Sequence, residues 1–236
     1  MDSEPQLTKP TQNPDRVKNY MKSDKVSEPV ARKLTALNLW LERTKKRADK
    51  YEKMATMDSL TNLPNRWALL GDPNVDPPIS GYLDWALAHT RRSGEKLSII
   101  MFDLDHLKTI NDESSDHHSS GDRALREISK VLKKAIRESD YPDRYAGDEF
   151  VVVLQNTNID GAKILAEKLR SKINEQSQLT PKITISGGIV EYDPQIHKSS
   201  GELVQAADKL LYQAKKRGRN RIEFKLSNEN IDSTIE

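Results

Sequence analysis

Residues 143–154 read DRYAGDEFVVVL, and no other stretch narrows the possible folds as much. Residues 150–154 are apolar and mostly β-branched, the composition of a buried strand. Asp148 and Glu149 stand directly before that run, behind the turn-forming Gly147. DRY and FVVVL therefore read as two arms of a β-hairpin with the acids at its tip. Carboxylates are seldom buried unless they pair or bind a cation. The chain must build a sheet around the hairpin and surround its tip with water or with positive charge. Taken alone, the hairpin leaves both open.

The neighbouring segments supply the sheet. LSIIMFD (97–103) is a second buried strand that ends on an acid. GDRALREISKVLKKAIRES (121–139) reads as a helix with Leu125, Ile128, Leu132 and Ile136 on one face. Beyond the hairpin, Asp160 is placed to cap a helix running to about residue 175, with Leu165, Leu169 and Ile173 inward. KITISGGIVEY (182–192) is a strand, LVQAADKLLYQAKKRG (203–218) a helix and RIEF (221–224) a last strand. The order β-α-β-β-α-β is the ferredoxin-like arrangement used by nucleotidyl-transfer palms. The expected class is α+β, an α/β sandwich whose central, mostly antiparallel sheet is flanked by helices and preceded by an N-terminal helix. GDPNVDPPISGY (71–82) bunches prolines and glycines and reads as a surface loop without chemistry.

Upstream the pattern differs. Residues 1–29 are polar, carry Pro5, Pro10, Pro14 and Pro29, and read as a disordered leader. Residues 30–56 read as a helix in which Leu34, Leu37, Leu41, Thr44, Ala48, Tyr51 and Ala55 repeat at coiled-coil spacing. That stripe suits either a dimeric signalling stalk or a helix folded onto its own domain. The catalytic-type domain is expected over 57–228, with a tail at 229–236. The chain has 236 residues and no cysteine, which excludes disulfides, thiolate metal sites and a Cys nucleophile. Its net charge of +2 decides nothing about nucleic acid, and none is expected as a partner. No apolar run approaches the roughly 18 residues of a membrane span, and the N-terminus lacks a signal peptide's apolar core. A soluble, cytoplasmic protein with no membrane partner is the expectation.

Two strand ends thus carry acids, Asp103 with Asp105 and Asp148 with Glu149. If these strands are neighbours, Asp103 and Asp148 crowd together and repel unless a divalent cation lies between them. Oxygen ligands without Cys favour Mg²⁺ or Mn²⁺, which typically shares its remaining positions with substrate phosphates. AKKRGRNR (214–221) ends a helix with Lys215 and Arg219 around a glycine turn, a candidate polyphosphate clamp. Acids for metal and bases for phosphate together suggest a nucleoside triphosphate site.

DSLTNLPNR (58–66), FDLDHLKTIND, GDRAL, RESDYPDRYAGDEF, TISGGI and AADKLLYQAKKRGRN, in this order, resemble the GGDEF domain of the diguanylate cyclase family over residues 58–220. The resemblance implies an enzyme that joins two GTP into cyclic di-GMP and releases two pyrophosphates. It implies two Mg²⁺ (or Mn²⁺) per active site, held by Asp103, the Leu104 carbonyl, Asp148 and Glu149, with Asp148 and Glu149 as the catalytic acids. Lys108, Lys215 and Arg219 match triphosphate contacts, Asn111 and Asp122 the guanine-reading pair, and Leu63 a wall of the base pocket. Each domain is implied to hold one GTP, so a homodimer is required, which gives the 30–56 helix a purpose. Arg137 and Asp140, in RESD, match the family's RxxD site, where the product cyclic di-GMP binds and inhibits.

The chain departs from the family pattern in three places. Ala146 replaces the leading glycine of the signature, which is harmless if its φ is negative. Asn62 replaces a common glycine in the LTGL motif, which touches a turn rather than the chemistry. The Asn111–Asp122 interval is longer than usual, within SSDHHSSGD, so a shifted register would put Ser120 at the base-reading position and imply a mixed cyclic GMP-AMP product. His117 and His118 look like a metal pair but read better as solvated loop residues. A catalytically inactive domain that binds GTP or cyclic di-GMP and signals by contact is the alternative from another class.

Overall fold

A computed structural model describes residues 28–72, 74, 79–113, 118–176 and 183–225. Contacts divide the chain into two units, residues 1–52 and 53–236. In chain order the elements are α1 (Glu28–Thr56), α2 (Arg66–Leu70), β1 (Gly71–Asp72), β2 (Ile79–Ser80), α3 (Tyr82–Ser93) and β3 (Leu97–Asp105). Then follow α4 (Leu107–Glu113), α5 (His118–Ala135), β4 (Tyr141–Ala146), β5 (Glu149–Gln155), α6 (Ile159–Gln176), β6 (Thr184–Glu191), α7 (Ser200–Lys216) and β7 (Ile222–Phe224).

Strand β3 is buried at every position, which is possible only in the middle of a sheet covered on both faces. It pairs antiparallel with β5 on one side and β6 on the other. The five strands run in the order β4-β5-β3-β6-β7, and only the β6–β7 pair is parallel. This is the ferredoxin-like order with one added strand, as the segment order predicts. Side chains alternate between faces: Ile100, Phe102, Leu104, Phe150, Val152 and Leu154 pack with α5 and α6. Ile99, Met101, Val151 and Val153 pack with α3 and α7. Phe102 and Phe150 have essentially no exposed surface, and truncating either to Ala costs about 3–5 kcal/mol.

Helix α7 rests on β6 because Gly188 lets it: a Cβ there would stand 2.2 Å from the Ala207 carbonyl oxygen and 2.5 Å from the Leu211 nitrogen. That close approach fixes where the C-terminal end of α7, with Lys215, meets the sheet.

Element ends differ from the sequence expectation for identifiable reasons. Strand β3 continues two residues past Asp103 because Asp105 is hydrogen-bonded from β6. Helix α5 stops at Ala135 rather than residue 139, since residues 137–140 form a turn in which the Asp140 N–H donates to the Arg137 carbonyl at 3.1 Å. The cap of α6 is Asn158, whose side chain accepts from the Gly161 N–H at 3.0 Å, and Asp160 lies inside the helix. Ser199 caps α7 and starts it three residues before Leu203. The expected 71–82 loop contains the small β1–β2 ladder and leads into α3 at Tyr82.

Helix α1 starts at Glu28 and leaves Leu34, Leu37, Trp40, Leu41, Tyr51 and Met54 exposed. The leader before residue 28, the tail after residue 225 and His117 lie outside the described residues. Among the described residues no helix is long and apolar enough to cross a membrane.

Candidate active site

The sheet brings the two acidic strand ends together. Asp103 pairs across the ladder with Glu149, and the Leu104 N–H donates to the Asp148 carbonyl at 3.3 Å. Asp103 is 5% exposed. Burial raises its pKa to about 6, the charges of Asp148 and Glu149 push the same way, and the Lys215 ammonium opposes them. Lys215 Nζ lies 2.8 Å from Asp103 Oδ2. Burial also raises Glu149, with Lys215 lowering it and Asp208 and Asp148 raising it. Lys215 thus pairs with Asp103 and acts on Glu149, which Arg66 also lowers.

Asp105, grouped with Asp103 by sequence, does a different job. Its carboxylate accepts from the Thr184 and Ser186 hydroxyls, each at 2.7 Å, and from the Asn220 N–H at 3.0 Å. It ties β3 to β6 and to the turn after α7. In that turn Gly218, Arg219 and Asn220 all have positive φ, 109°, 62° and 47°. Arg219 is exposed there, and Lys108 is exposed on α4.

Of the base-reading pair expected from the resemblance, Asn111 lies against Gly121, the residue before Asp122. Asn111 packs against Gly121 so tightly that a Cβ on Gly121 would lie 2.2 Å from Asn111 Oδ1. That oxygen is buried and has no partner. Asp122 follows on α5, about half-exposed, with Arg126 Nη2 3.6 Å from its carboxylate. The contact of Asn111 falls on Gly121, whose chain neighbours are Ser120 and Asp122. Leu63, expected to line a base pocket, has no exposed surface and belongs to the core cluster that holds Ile110, Ala124 and Leu125.

Arg137 and Asp140 form a closed turn: the Arg137 N–H donates to Asp140 Oδ2 at 2.9 Å. Asp140 Oδ1 is buried without a partner. Burial raises the Asp140 pKa, while the Arg137 N–H and its charge lower it.

Three residues with structural weight escaped the sequence reading. Asp58 accepts from Thr61 and takes both carboxylate oxygens to Arg144 Nη1 at 2.9 Å. Arg144 also donates through Nε and Nη2 to the Gly147 carbonyl, at 2.9 and 2.6 Å. The signature turn is therefore pinned to the segment that follows α1. The third is Asp143, fully buried with both carboxylate oxygens unpartnered; burial, then the Asp58 charge, raises its pKa to about 8. An acid alternating with Tyr141 and Tyr145 on β4 was the available signal. The two departures in turns are accommodated: Asn62 adopts φ 51°, a conformation asparagine tolerates, and Ala146 is not among the residues with positive φ.

Among the described residues no group of three or more His, Asp or Glu side chains is arranged to hold a metal ion unaided. Mg²⁺ does not require one, since one or two carboxylates plus waters and phosphates complete its shell. The hard oxygen donors of Asp103, Asp148 and Glu149, with a buried carboxylate held short of neutrality by one ammonium, fit such an ion.

Residues 55–221 match the family model described as diguanylate cyclase, GGDEF domain. Diguanylate cyclase A of Treponema denticola is 39% identical over 143 residues, 58% of this chain and 38% of that protein. The diguanylate cyclase VdcA of Vibrio cholerae is 35% identical over 197 residues, 80% of this chain and 52% of that protein. The chain therefore spans well under two thirds of the length of either relative. Among solved structures, the coiled coil and GGDEF domain of DgcB from Caulobacter crescentus, in complex with c-di-GMP, matches with a TM-score of 0.68 at 26% identity, over 82% of this chain and 97% of that one. The diguanylate cyclase SiaD of Pseudomonas aeruginosa, in complex with its activator SiaC, matches with a TM-score of 0.62 at 26% identity, over 89% and 78%.

Proposed function

The chain belongs to the diguanylate cyclase GGDEF domain family, and from that membership we propose that it condenses two GTP molecules into cyclic di-GMP, releasing two pyrophosphates. The observation that carries the reading is the juxtaposition of buried Asp103 with Asp148 and Glu149 against Lys215. Asp103, Asp148, Glu149 and the Leu104 carbonyl would hold Mg²⁺ or Mn²⁺, two per site. When bound, the ions supply charge stabilisation for in-line displacement at a phosphorus.

The chain's own residues bind, orient and select. Lys108, Lys215 and Arg219 offer three cationic groups to a triphosphate that carries several negative charges. Lys215, which lies 2.8 Å from Asp103 Oδ2, would be free to turn to a phosphate oxygen where Asp103 holds a cation. In this reading the Asn111 side chain, whose Oδ1 is buried without a partner, and the Asp122 carboxylate supply two acceptors to the base. Guanine offers its N1–H and 2-amino donors to such a pair, whereas adenine pairs a donor with an acceptor. Guanine selection in this reading rests on the resemblance that assigns Asp122, and the mixed cyclic product is the outcome that would point to Ser120 instead.

One domain holds one GTP, so ring closure needs two domains facing each other. Dimerisation supplies the effective concentration of the second nucleotide. The exposed stripe on α1 suits a helical stalk that pairs with a second copy. Arg137 with the buried, unpartnered Asp140 oxygen suits an inhibitory site for the product. The 57–228 segment would then be the catalytic domain and 30–56 the stalk.

The test is incubation of the purified protein with Mg²⁺ and GTP, ATP or both, with products identified by mass spectrometry. Cyclic di-GMP that disappears in Asp148→Ala is the expected outcome. Product binding without synthesis at high protein concentration would instead make the domain an inactive receptor, and a mixed cyclic dinucleotide would overturn the base assignment.

A further inference from the structure

We propose that Arg170 and Asp105 are positioning residues for Arg219, fixing the turn from which its guanidinium reaches a nucleotide triphosphate. The inference rests on the GTP-binding reading above and adds two residues to it. Arg170 lies on α6, remote in sequence from the acids, and its Nη1 donates to Asn220 Oδ1 at 2.8 Å and to the Asn220 carbonyl at 3.3 Å. Its Nε is held by Glu167 at 2.8 Å, so the fork is already oriented. Asp105, 2% exposed, accepts the Asn220 N–H at 3.0 Å while its other bonds run to Thr184 and Ser186 on β6. Side chain, carbonyl and N–H of one residue are all gripped, from two directions.

The residue before it, Arg219, sits in a sparsely populated conformation. Arg219 and Asn220 are consecutive L residues with φ of 62° and 47°, after Gly218 at 109°. Such backbone persists only where the surroundings over-determine it, and such places cluster at ligand clamps. The Arg219 N–H returns to the Ala214 carbonyl at 3.0 Å and the Arg221 carbonyl accepts from the Gly187 N–H at 2.9 Å, which fastens the turn at both ends. The Arg219 side chain itself is exposed and has no ion-pair partner among the described residues. The network therefore fixes where the guanidinium starts and leaves its tip for a ligand. Asp105 also lies two residues beyond Asp103 on the same strand, so one strand end sets the separation between the metal-side acid and the phosphate-side base.

The test compares Arg170→Ala, Arg219→Ala and the double variant by displacement of a fluorescent GTP analogue in Mg²⁺, with melting temperature and steady-state kinetics alongside. Asn220→Gly, which keeps positive φ accessible and removes only the side-chain acceptor, is the milder second probe. Arg170→Ala is expected to weaken GTP binding about five- to tenfold, the worth of a charge-assisted contact, and to leave guanosine binding unchanged. Asn220→Gly is expected to follow in the same direction. In the Arg219→Ala background the Arg170 change is expected to have no further effect, since a residue acting through another shows full coupling. Additive losses in the double variant, or a lowered melting temperature with GTP affinity intact, would overturn the proposal. Absence of GTP binding by the unaltered protein would overturn the functional reading itself, and the positioning proposal with it.

Discussion

Lys215 Nζ lies 2.8 Å from Oδ2 of Asp103, so a base expected at the triphosphate neutralises an acid expected at the metal. Lysine and divalent cation then compete for one carboxylate. Lys215→Met leaves a buried acid without its counter-charge, which costs about 1–3 kcal/mol for a partly solvated pair. A melting temperature lower by about 5 °C in metal-free buffer is expected. Mg²⁺ should restore more stability to the variant than it adds to the unaltered protein, because the competitor is gone. Calorimetric melts with and without Mg²⁺ decide it, and equal Mg²⁺ shifts in the two proteins would contradict the competition.

Asp143 gives stability a pH dependence of known sign. Its folded pKa, about 8, lies above the ordinary value of 3.8, so the folded chain binds a proton that the unfolded chain has released over that interval. The contribution is fully present below about pH 4 and is lost as pH rises through 8. Asp143→Asn removes this titration. The melting temperature of the variant, relative to the unaltered protein, should therefore rise from pH 5 to about pH 8 and level off above it. Parallel curves would mean that Asp143 has a partner and an ordinary pKa.

The ferredoxin-like order and the approach of the two acidic strand ends were legible because apolar runs of fixed length leave few ways to arrange four strands. The sequence reading set Asp103 beside Asp148, and the ladder pairs it with Glu149. The acids stood at strand ends, where a register follows from the hairpin. The roles of Asp105, Asp143 and Arg144 were not legible. Each sits on a strand within a few residues of a signature acid, and only the pleat decides whether such a side chain meets a serine, a core or another acid. Asn158 displaced Asp160 as a cap for a similar reason: both are good caps, and the choice was made by where β5 releases the chain.

The Asp58–Arg144–Gly147 chain of hydrogen bonds makes the signature turn depend on a residue that lies 90 positions upstream of Asp148 in sequence. Asp58→Asn keeps the shape and loses the charge that orients Arg144 through both oxygens. Stability should fall by about 2 kcal/mol, since a largely desolvated charge-assisted pair is broken. Because Arg144 would then grip the Gly147 carbonyl less firmly, kcat should fall more than the stability loss alone explains, with KM for GTP changing less. Assays at a temperature where both proteins are fully folded separate the two effects. An unchanged kcat under those conditions would confine the pair to stability.

Gly121 leaves room for the Asn111 amide, the group proposed to read a base. A methyl group at this position would overlap the Asn111 amide, at 2.2 Å from Oδ1, 3.0 Å from Cγ and 3.1 Å from Nδ2. The obstacle is the end of a side chain rather than backbone, so Gly121→Ala should fold and displace the amide instead of breaking the helix. With one of two acceptors moved away, the guanine donors lose a partner while adenine loses little. Discrimination between GTP and ATP should fall by about tenfold or more, the worth of one base-edge hydrogen bond in a built site. Asp122→Asn should act in the same direction by turning an acceptor into a mixed donor and acceptor. Competition of GTP against ATP, read as the ratio of kcat/KM values for the two nucleotides, measures both. If Gly121→Ala left the ratio intact while Asp122→Asn lowered it, Asn111 would be a structural residue and Asp122 alone would select the base.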